Sequence, residues 1–177
     1  SPADLSDLVF EPEAFFSHVD KAVESANNAY KAWRATTLEE RKNHLLKLKE
    51  VFQKHADEMA EIISRETGKP LWEAKTESAA LSAKIDVTIG HSLKHIEGEF
   101  LKDALPGVDG VVRFKSRGVF AVLGPFNFPA HLANGHIIPA LLTGNTVIFK
   151  PSEKTPAVGQ FYAEMIHEAG FPKGVFN

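Results

Sequence analysis

The stretch 119–153, VFAVLGPFNFPAHLANGHIIPALLTGNTVIFKPSE, sets the terms for the rest of the chain. Val119–Leu123 is a short apolar run with the β-branched content of a buried strand, and Gly124-Pro125 stops it. The apolar segment His131–Leu142 is long enough for a helix, Gly144-Asn145 is a turn signal, and residues 146–149 read as a second buried strand. Strand, helix and strand at this spacing form a βαβ unit, which requires a parallel sheet covered on its faces. Polar side chains fall where the strands end: Asn127 after the first, Lys150 and Glu153 after the second. Ligands of open α/β sheets bind outside the carboxyl ends of the strands, so placement alone makes these three residues site candidates.

Composition narrows the function classes. The net charge of −3 and pI near 6.2 carry no electrostatic footprint for nucleic acid. No apolar run approaches the roughly 18 residues that suggest a membrane span, and no signal-peptide pattern opens the chain, so a cytoplasmic protein is expected. There is no cysteine, which removes disulfides, zinc–thiolate sites and any thiol nucleophile from these residues. The chain opens on Ser1 rather than Met, and Lys173-Gly174-Val175-Phe176-Asn177 looks like the opening of a third strand. We therefore expect the natural protein to continue past Asn177.

From Pro12 to Trp33, apolar residues recur at helical spacing (Phe15, Phe16, Val19, Val23, Ala26, Tyr30), with Pro12 suited to the first turn. Thr37-Leu38-Glu39-Glu40 is a capping-box pattern and launches a helix with Leu45, Leu48, Val51, Phe52, Met59, Ile62 and Ile63 on one face. His55 shares that face, where a half-buried histidine satisfied by a neighbour is expected rather than a ligand. Gly68-Lys69-Pro70 ends the helix. A third helix is expected over residues 71–96, weakened near Gly90. It brings His91 and His95 onto one face, without the further ligands that a metal site needs. Residues 98–110 read as a loop, and Val111 to Lys115 alternate like an exposed strand. After Glu153, Thr155-Pro156 starts a last helix, which Gly170-Phe171-Pro172 ends.

Asn127 sits in Pro125-Phe126-Asn127-Phe128-Pro129, and two prolines bracketing three residues hold a loop stiffly. A stiff amide can donate to an oxygen that gains negative charge, an interaction worth about 3 kcal/mol in oxyanion sites. A loop asparagine that satisfies nearby backbone groups is the plainer alternative. Glu153 lies where an acidic group accepts hydrogen bonds from the ribose hydroxyls of NAD. Its charge would repel a ribose 2′-phosphate, which favours NAD over NADP. Lys150 could donate to the same ribose; the alternative is a solvated i,i+3 ion pair at a helix start. Neither the G-x-G-x-x-G turn nor the P-loop occurs, so pyrophosphate binding by a standard glycine loop is unsupported.

Five blocks, in order, resemble the aldehyde dehydrogenase superfamily. They are Glu66-Thr67-Gly68-Lys69-Pro70, Pro125-Phe126-Asn127-Phe128-Pro129, Ala140-Leu141-Leu142-Thr143-Gly144-Asn145-Thr146-Val147, Lys150-Pro151-Ser152-Glu153 and the terminal Gly170-Phe171-Pro172 with Gly174-Val175-Phe176-Asn177. Residues 130–141 look most like the branch that acts on a semialdehyde of arginine breakdown in bacteria. The resemblance implies an α/β fold: a helical part over residues 1–107, an oligomerisation strand segment over 108–117, and the first Rossmann-like βαβαβ part of an NAD-binding domain over 118–177, with parallel strands, truncated before the catalytic domain. It makes Asn127 the oxyanion-stabilising amide, and Lys150 and Glu153 the contacts to the adenosine ribose. Phe126, where the family usually carries Trp, becomes a lining residue of the cofactor cleft. No role carries over to His131 or His136, for which packing or loop hydrogen bonding is expected.

The resemblance also implies NAD as cofactor, a small aldehyde as substrate, and a homodimer or homotetramer of the full-length protein. The family's nucleophilic cysteine, general-base glutamate and glycine-rich nicotinamide loop are expected beyond residue 177, so the fragment alone should be inactive. A reading from another class remains open at this point: a non-catalytic nucleotide-binding or interaction module, complete as shown.

Overall fold

The computed structural model describes residues 1–13 and 15–177. A helical layer comes first: α1 (Ser17–Ala35), α2 (Leu38–Lys54), α3 (Ala56–Thr67) and α4 (Leu71–Gly90), followed by a 3₁₀ turn at Ser92–Ile96. An antiparallel hairpin follows, β1 (Glu99–Leu105) with β2 (Val108–Val112), and then β3 (Val119–Leu123), α5 (His131–Leu142), β4 (Thr146–Lys150) and α6 (Pro156–Glu168). Strands β3 and β4 run parallel, in register from Val119 opposite Thr146 to Leu123 opposite Lys150. The chain end adds a third parallel contact: Val147 N–H donates to Val175, Phe149 N–H to Asn177, and Asn177 N–H back to Val147. The expected βαβ unit and third-strand opening are therefore both present.

Local chemistry accounts for most boundaries. The capping box at α2 is complete: Thr37 Oγ1 accepts from Glu40 N–H at 3.1 Å, and Glu40 Oε2 accepts from Thr37 N–H at 2.6 Å. Gly68 ends α3 at φ 74°, a left-handed conformation that disfavours a side chain, and Pro156 occupies the first turn of α6, where its missing N–H costs nothing. Long side chains then join the layers. Trp33 Nε1 donates to Leu141 O at 3.1 Å and Arg41 Nε to Leu142 O at 2.7 Å, so α1 and α2 satisfy the last carbonyls of α5. Buried Asn134 donates to Leu81 O and accepts from Tyr162 Oη at 2.7 Å, which ties α5 to α4 and α6.

The structure corrects several expectations. Helix α1 begins at Ser17, not near Pro12, and Ala14 of that predicted helix lies outside the described residues. Its leading apolar positions face solvent, with Phe16 92% exposed, so the helical spacing there marks no core contact within this chain. The long helix over residues 37–63 is two helices. The backbone breaks at His55 (φ −102°, ψ 17°), whose ring is held by Glu58 at 3.1 Å and Glu168 at 2.9 Å. No proline or glycine marks that break, but the histidine is satisfied by neighbours as expected. The third helix stops at Gly90 and tightens into the 3₁₀ turn. Residues 98–110 are mostly the hairpin rather than a loop, turning at Gly107 (φ 77°), and the exposed strand ends at Val112 instead of Lys115. Strand β3 was expected to be buried, yet only Val122 is; Leu123, at the strand's tip, is 76% exposed.

Candidate functional site

The parallel register places the tips of β3 and β4 side by side, and Gly124 N–H donates across to Lys150 O at 2.9 Å. The loops that carry the predicted residues therefore leave adjacent strand tips. Phe126, Asn127 and Phe128 are exposed on the loop after β3, while Pro129 and Ala130 turn inward to start α5. Across the gap, Lys154 Nζ lies 4.8 Å from the centroid of the Phe126 ring, a cation–π contact between the two loops.

The Asn127 side-chain amide has no hydrogen-bond partner among the described residues. Its backbone, by contrast, is gripped: Asn127 O accepts from Lys69 Nζ at 2.9 Å. That ammonium also pairs with Glu77 Oε2 at 2.8 Å and sits 4.1 Å over the Phe128 ring. Glu77 uses its other oxygen to accept from Ala130 N–H at 3.1 Å and His131 N–H at 3.2 Å, capping the start of α5. The plainer alternative for Asn127, a side chain spent on nearby backbone, is not what the geometry shows.

On the second loop, Lys150 Nζ and Glu153 Oε2 are 3.1 Å apart, and both side chains are largely exposed. A hydrogen bond from the residue's own backbone, then the Lys150 ammonium, hold the Glu153 carboxyl below its ordinary pKa. Behind this loop, Glu66 caps α6, accepting from Ala157 N–H and Val158 N–H at 2.8 Å each. Burial raises the Glu66 pKa, and the two N–H donors offset part of that rise. An anion approaching the first N–H groups of either α5 or α6 would thus meet a carboxylate already seated there. This agrees with the missing glycine loops.

Sequence reasoning missed Lys69, Glu77 and Glu66 as members of this arrangement. Lys69 and Glu66 flank Gly68 in one of the recognised blocks, and Glu77 interrupts the buried α4 stripe of Ala74, Leu81 and Ile85, a signal in itself. His136 is exposed, while His131 is half-buried with Nδ1 lacking a partner. Among the described residues, no group of three or more His, Cys, Asp or Glu side chains could hold a metal.

A parallel βαβαβ unit with polar side chains at two adjacent strand tips defines the class, a Rossmann-like α/β protein. The chain belongs to the aldehyde dehydrogenase family, whose sequence profile matches residues 1–177. It is 44% identical over 159 residues to an N-succinylglutamate 5-semialdehyde dehydrogenase of Vibrio cholerae, covering 90% of this chain and 32% of that protein. A Sinorhizobium meliloti protein solved in complex with NAD superposes with a TM-score of 0.87 at 34% identity, covering 94% of this chain and 34% of that one. An E. coli NADP-dependent enzyme superposes at 0.85 and 34% identity, covering 91% of this chain and 33% of that one. The chain thus spans about a third of the length of the curated relatives it matches.

Proposed function

We propose that the protein to which this chain belongs is an NAD-dependent aldehyde dehydrogenase that oxidises N-succinylglutamate 5-semialdehyde to the carboxylic acid in arginine breakdown. One observation carries the reading. An exposed amide on a clamped loop follows one strand tip of a parallel sheet, and an exposed Lys–Glu pair follows the adjacent tip. The named activity of the curated relatives supplies the substrate.

The chemistry of the two loops fits a nicotinamide dinucleotide. Glu153 can accept from both hydroxyls of a ribose diol and Lys150 can donate to one, while the Glu153 charge opposes a 2′-phosphate. Phe126 offers an exposed ring to the cleft wall. When bound, NAD supplies the hydride acceptor. Asn127 Nδ2 donates to the aldehyde oxygen as that oxygen gains charge, and a donor already in place needs no reorganisation at that moment. The thiol that attacks the aldehyde comes from outside these residues, which hold no cysteine, so this span is not competent alone.

Two further parts follow from the same reading. The hairpin exposes Phe100, Leu105 and Val108 on its strands, with Phe114 just beyond, an apolar surface suited to a second copy of the chain in a homodimer or homotetramer. A cytoplasmic location suits a nucleophilic thiol that must stay reduced, and among the described residues no helix is long and apolar enough to cross a membrane.

The test is steady-state kinetics on the full-length protein with N-succinylglutamate 5-semialdehyde and simple aldehydes, each with NAD and NADP. The highest kcat/KM is expected for the first substrate with NAD. Absence of turnover with every aldehyde would overturn the enzyme reading, equal kcat/KM across aldehydes the substrate, and an NADP preference the cofactor.

A further inference from the structure

The Lys69–Glu77 pair is nearly removed from solvent, with side chains 10% and 0% exposed. Taking two charges out of water costs several kcal/mol per ion, and well-packed apolar residues often serve stability as well or better. A helix cap alone would explain Glu77, whose Oε1 satisfies two N–H groups of α5. It does not explain Lys69, which spends its other strong hydrogen bond on the carbonyl of Asn127 itself. The ammonium is also directional here: Glu77 at 2.8 Å and Asn127 O at 2.9 Å are close, the Phe128 face lies beneath it, and Glu73 stands off at 3.8 Å. The pair therefore grips the loop at the Asn127 carbonyl and again at Ala130 and His131, while the Asn127 side-chain amide has no hydrogen-bond partner among the described residues.

We propose that Lys69, held by Glu77, is a positioning residue for Asn127: it fixes the loop from the turn between α3 and α4, so that the amide meets the developing oxyanion in register. This rests on the oxyanion role given to Asn127 above. Lys69 touches no reacting atom. It acts by denying the Asn127 backbone the small shifts that would carry the amide out of hydrogen-bonding range.

A double-mutant cycle in the full-length enzyme tests this. Lys69→Met keeps the length of the side chain and removes the ammonium. It should lower kcat by about 10²-fold, the cost of a misplaced group near 1 Å, and leave KM for NAD near that of the parent. Lys69→Arg should recover part of the loss, because a guanidinium can still donate to both Glu77 and Asn127 O. In an Asn127→Ala background, Lys69→Met should lower kcat no further. If the kcat loss persists undiminished in that background, or if Lys69→Met turns over like the parent, the positioning role is overturned. If Asn127→Ala alone leaves kcat unchanged, the oxyanion reading itself has failed, a distinct result. Should Lys69→Met not fold, Glu77→Gln serves in the same cycle: it keeps an oxygen for the α5 N–H groups and weakens only the hold on Lys69. A smaller kcat loss, absent in the Asn127→Ala background, supports the proposal, and an equal loss in both backgrounds overturns it.

Discussion

After β3, the loop is held from beneath by a buried ion pair, and an exposed asparagine follows on it; after β4, Lys150 and Glu153 pair with each other and are largely exposed to solvent. Both following helices are capped by distant carboxylates, Glu77 on α5 and Glu66 on α6, from consecutive helices of the same antecedent layer. The environments differ. The Glu77 side chain is wholly enclosed and neutralised by Lys69, whereas Glu66 is half-buried and has no cation within salt-bridge distance among the described residues. The first loop is built to keep one group still. The second leaves its charged groups exposed, as the proposed ribose contact would need.

Removing Glu77 should break the first loop hardest. Glu77→Ala leaves the Lys69 ammonium without its partner and two N–H groups of α5 without acceptors. Loss of one member of a buried pair costs about 3–5 kcal/mol. A large fall in the denaturant midpoint of the full-length protein is expected, and a change within the range of ordinary surface substitutions would mean that the pair is not enclosed as described. Asn127→Ala comes next and separates chemistry from stability. The denaturation midpoint should hold, since the exposed amide makes no hydrogen bond among the described residues, while kcat falls about 10²–10³-fold, equivalent to about 3–4 kcal/mol. Equal losses in kcat and in NAD affinity would remove the distinction drawn between the loops.

The α6 cap should matter less. Glu66→Ala leaves Ala157 and Val158 N–H groups to water, a loss of about 1–2 kcal/mol for a helix cap. Its pH dependence has a definite sign. Because the folded-state pKa is raised above 4.5, the native chain holds this proton more tightly than the unfolded one. That contribution is full below 4.5 and is lost as pH rises through the folded value. Glu66→Gln, uncharged throughout, should therefore gain stability relative to the parent as pH rises through that window. An unchanged difference across it would show that burial does not govern this carboxyl.

The same contrast explains what the sequence made legible. Strand, turn and helix limits from Val119 to Lys150 follow from periodicity and from Gly124, Gly144 and the flanking prolines, local signals that act over a few residues. The three polar candidates were visible for the same reason, since strand ends are local features. The clamp was not, because Lys69 and Asn127 are 58 positions apart and only the packing of α4 on α5 brings them together. The break at His55 was hidden likewise: its second partner, Glu168, is 113 residues away and lies at the end of α6. The hairpin escaped because Gly, Pro and charge between residues 98 and 110 dilute the alternation, and its register slips between Leu101 and Leu105.

Glu153→Ala should give the smallest effect and the one most specific to the second loop. The carboxylate is exposed and, among the described residues, its one ion pair is with Lys150, so its removal should leave stability untouched, as for most surface ion pairs. Affinity is where it should register. Without the carboxylate the ribose hydroxyls lose their acceptor, and NAD binding should weaken several-fold at unchanged kcat. Lys150 is then freed, and a cation no longer opposed by Glu153 should attract a 2′-phosphate, so NADP binding should improve in the same variant. Titration of both cofactors against the parent and Glu153→Ala proteins reads the two changes separately. If NAD weakens and NADP does not improve, Glu153 serves as an acceptor without acting as a charge filter. If neither moves, the Lys150–Glu153 pair is a solvated ion pair and nothing more, and the ribose must be held from elsewhere.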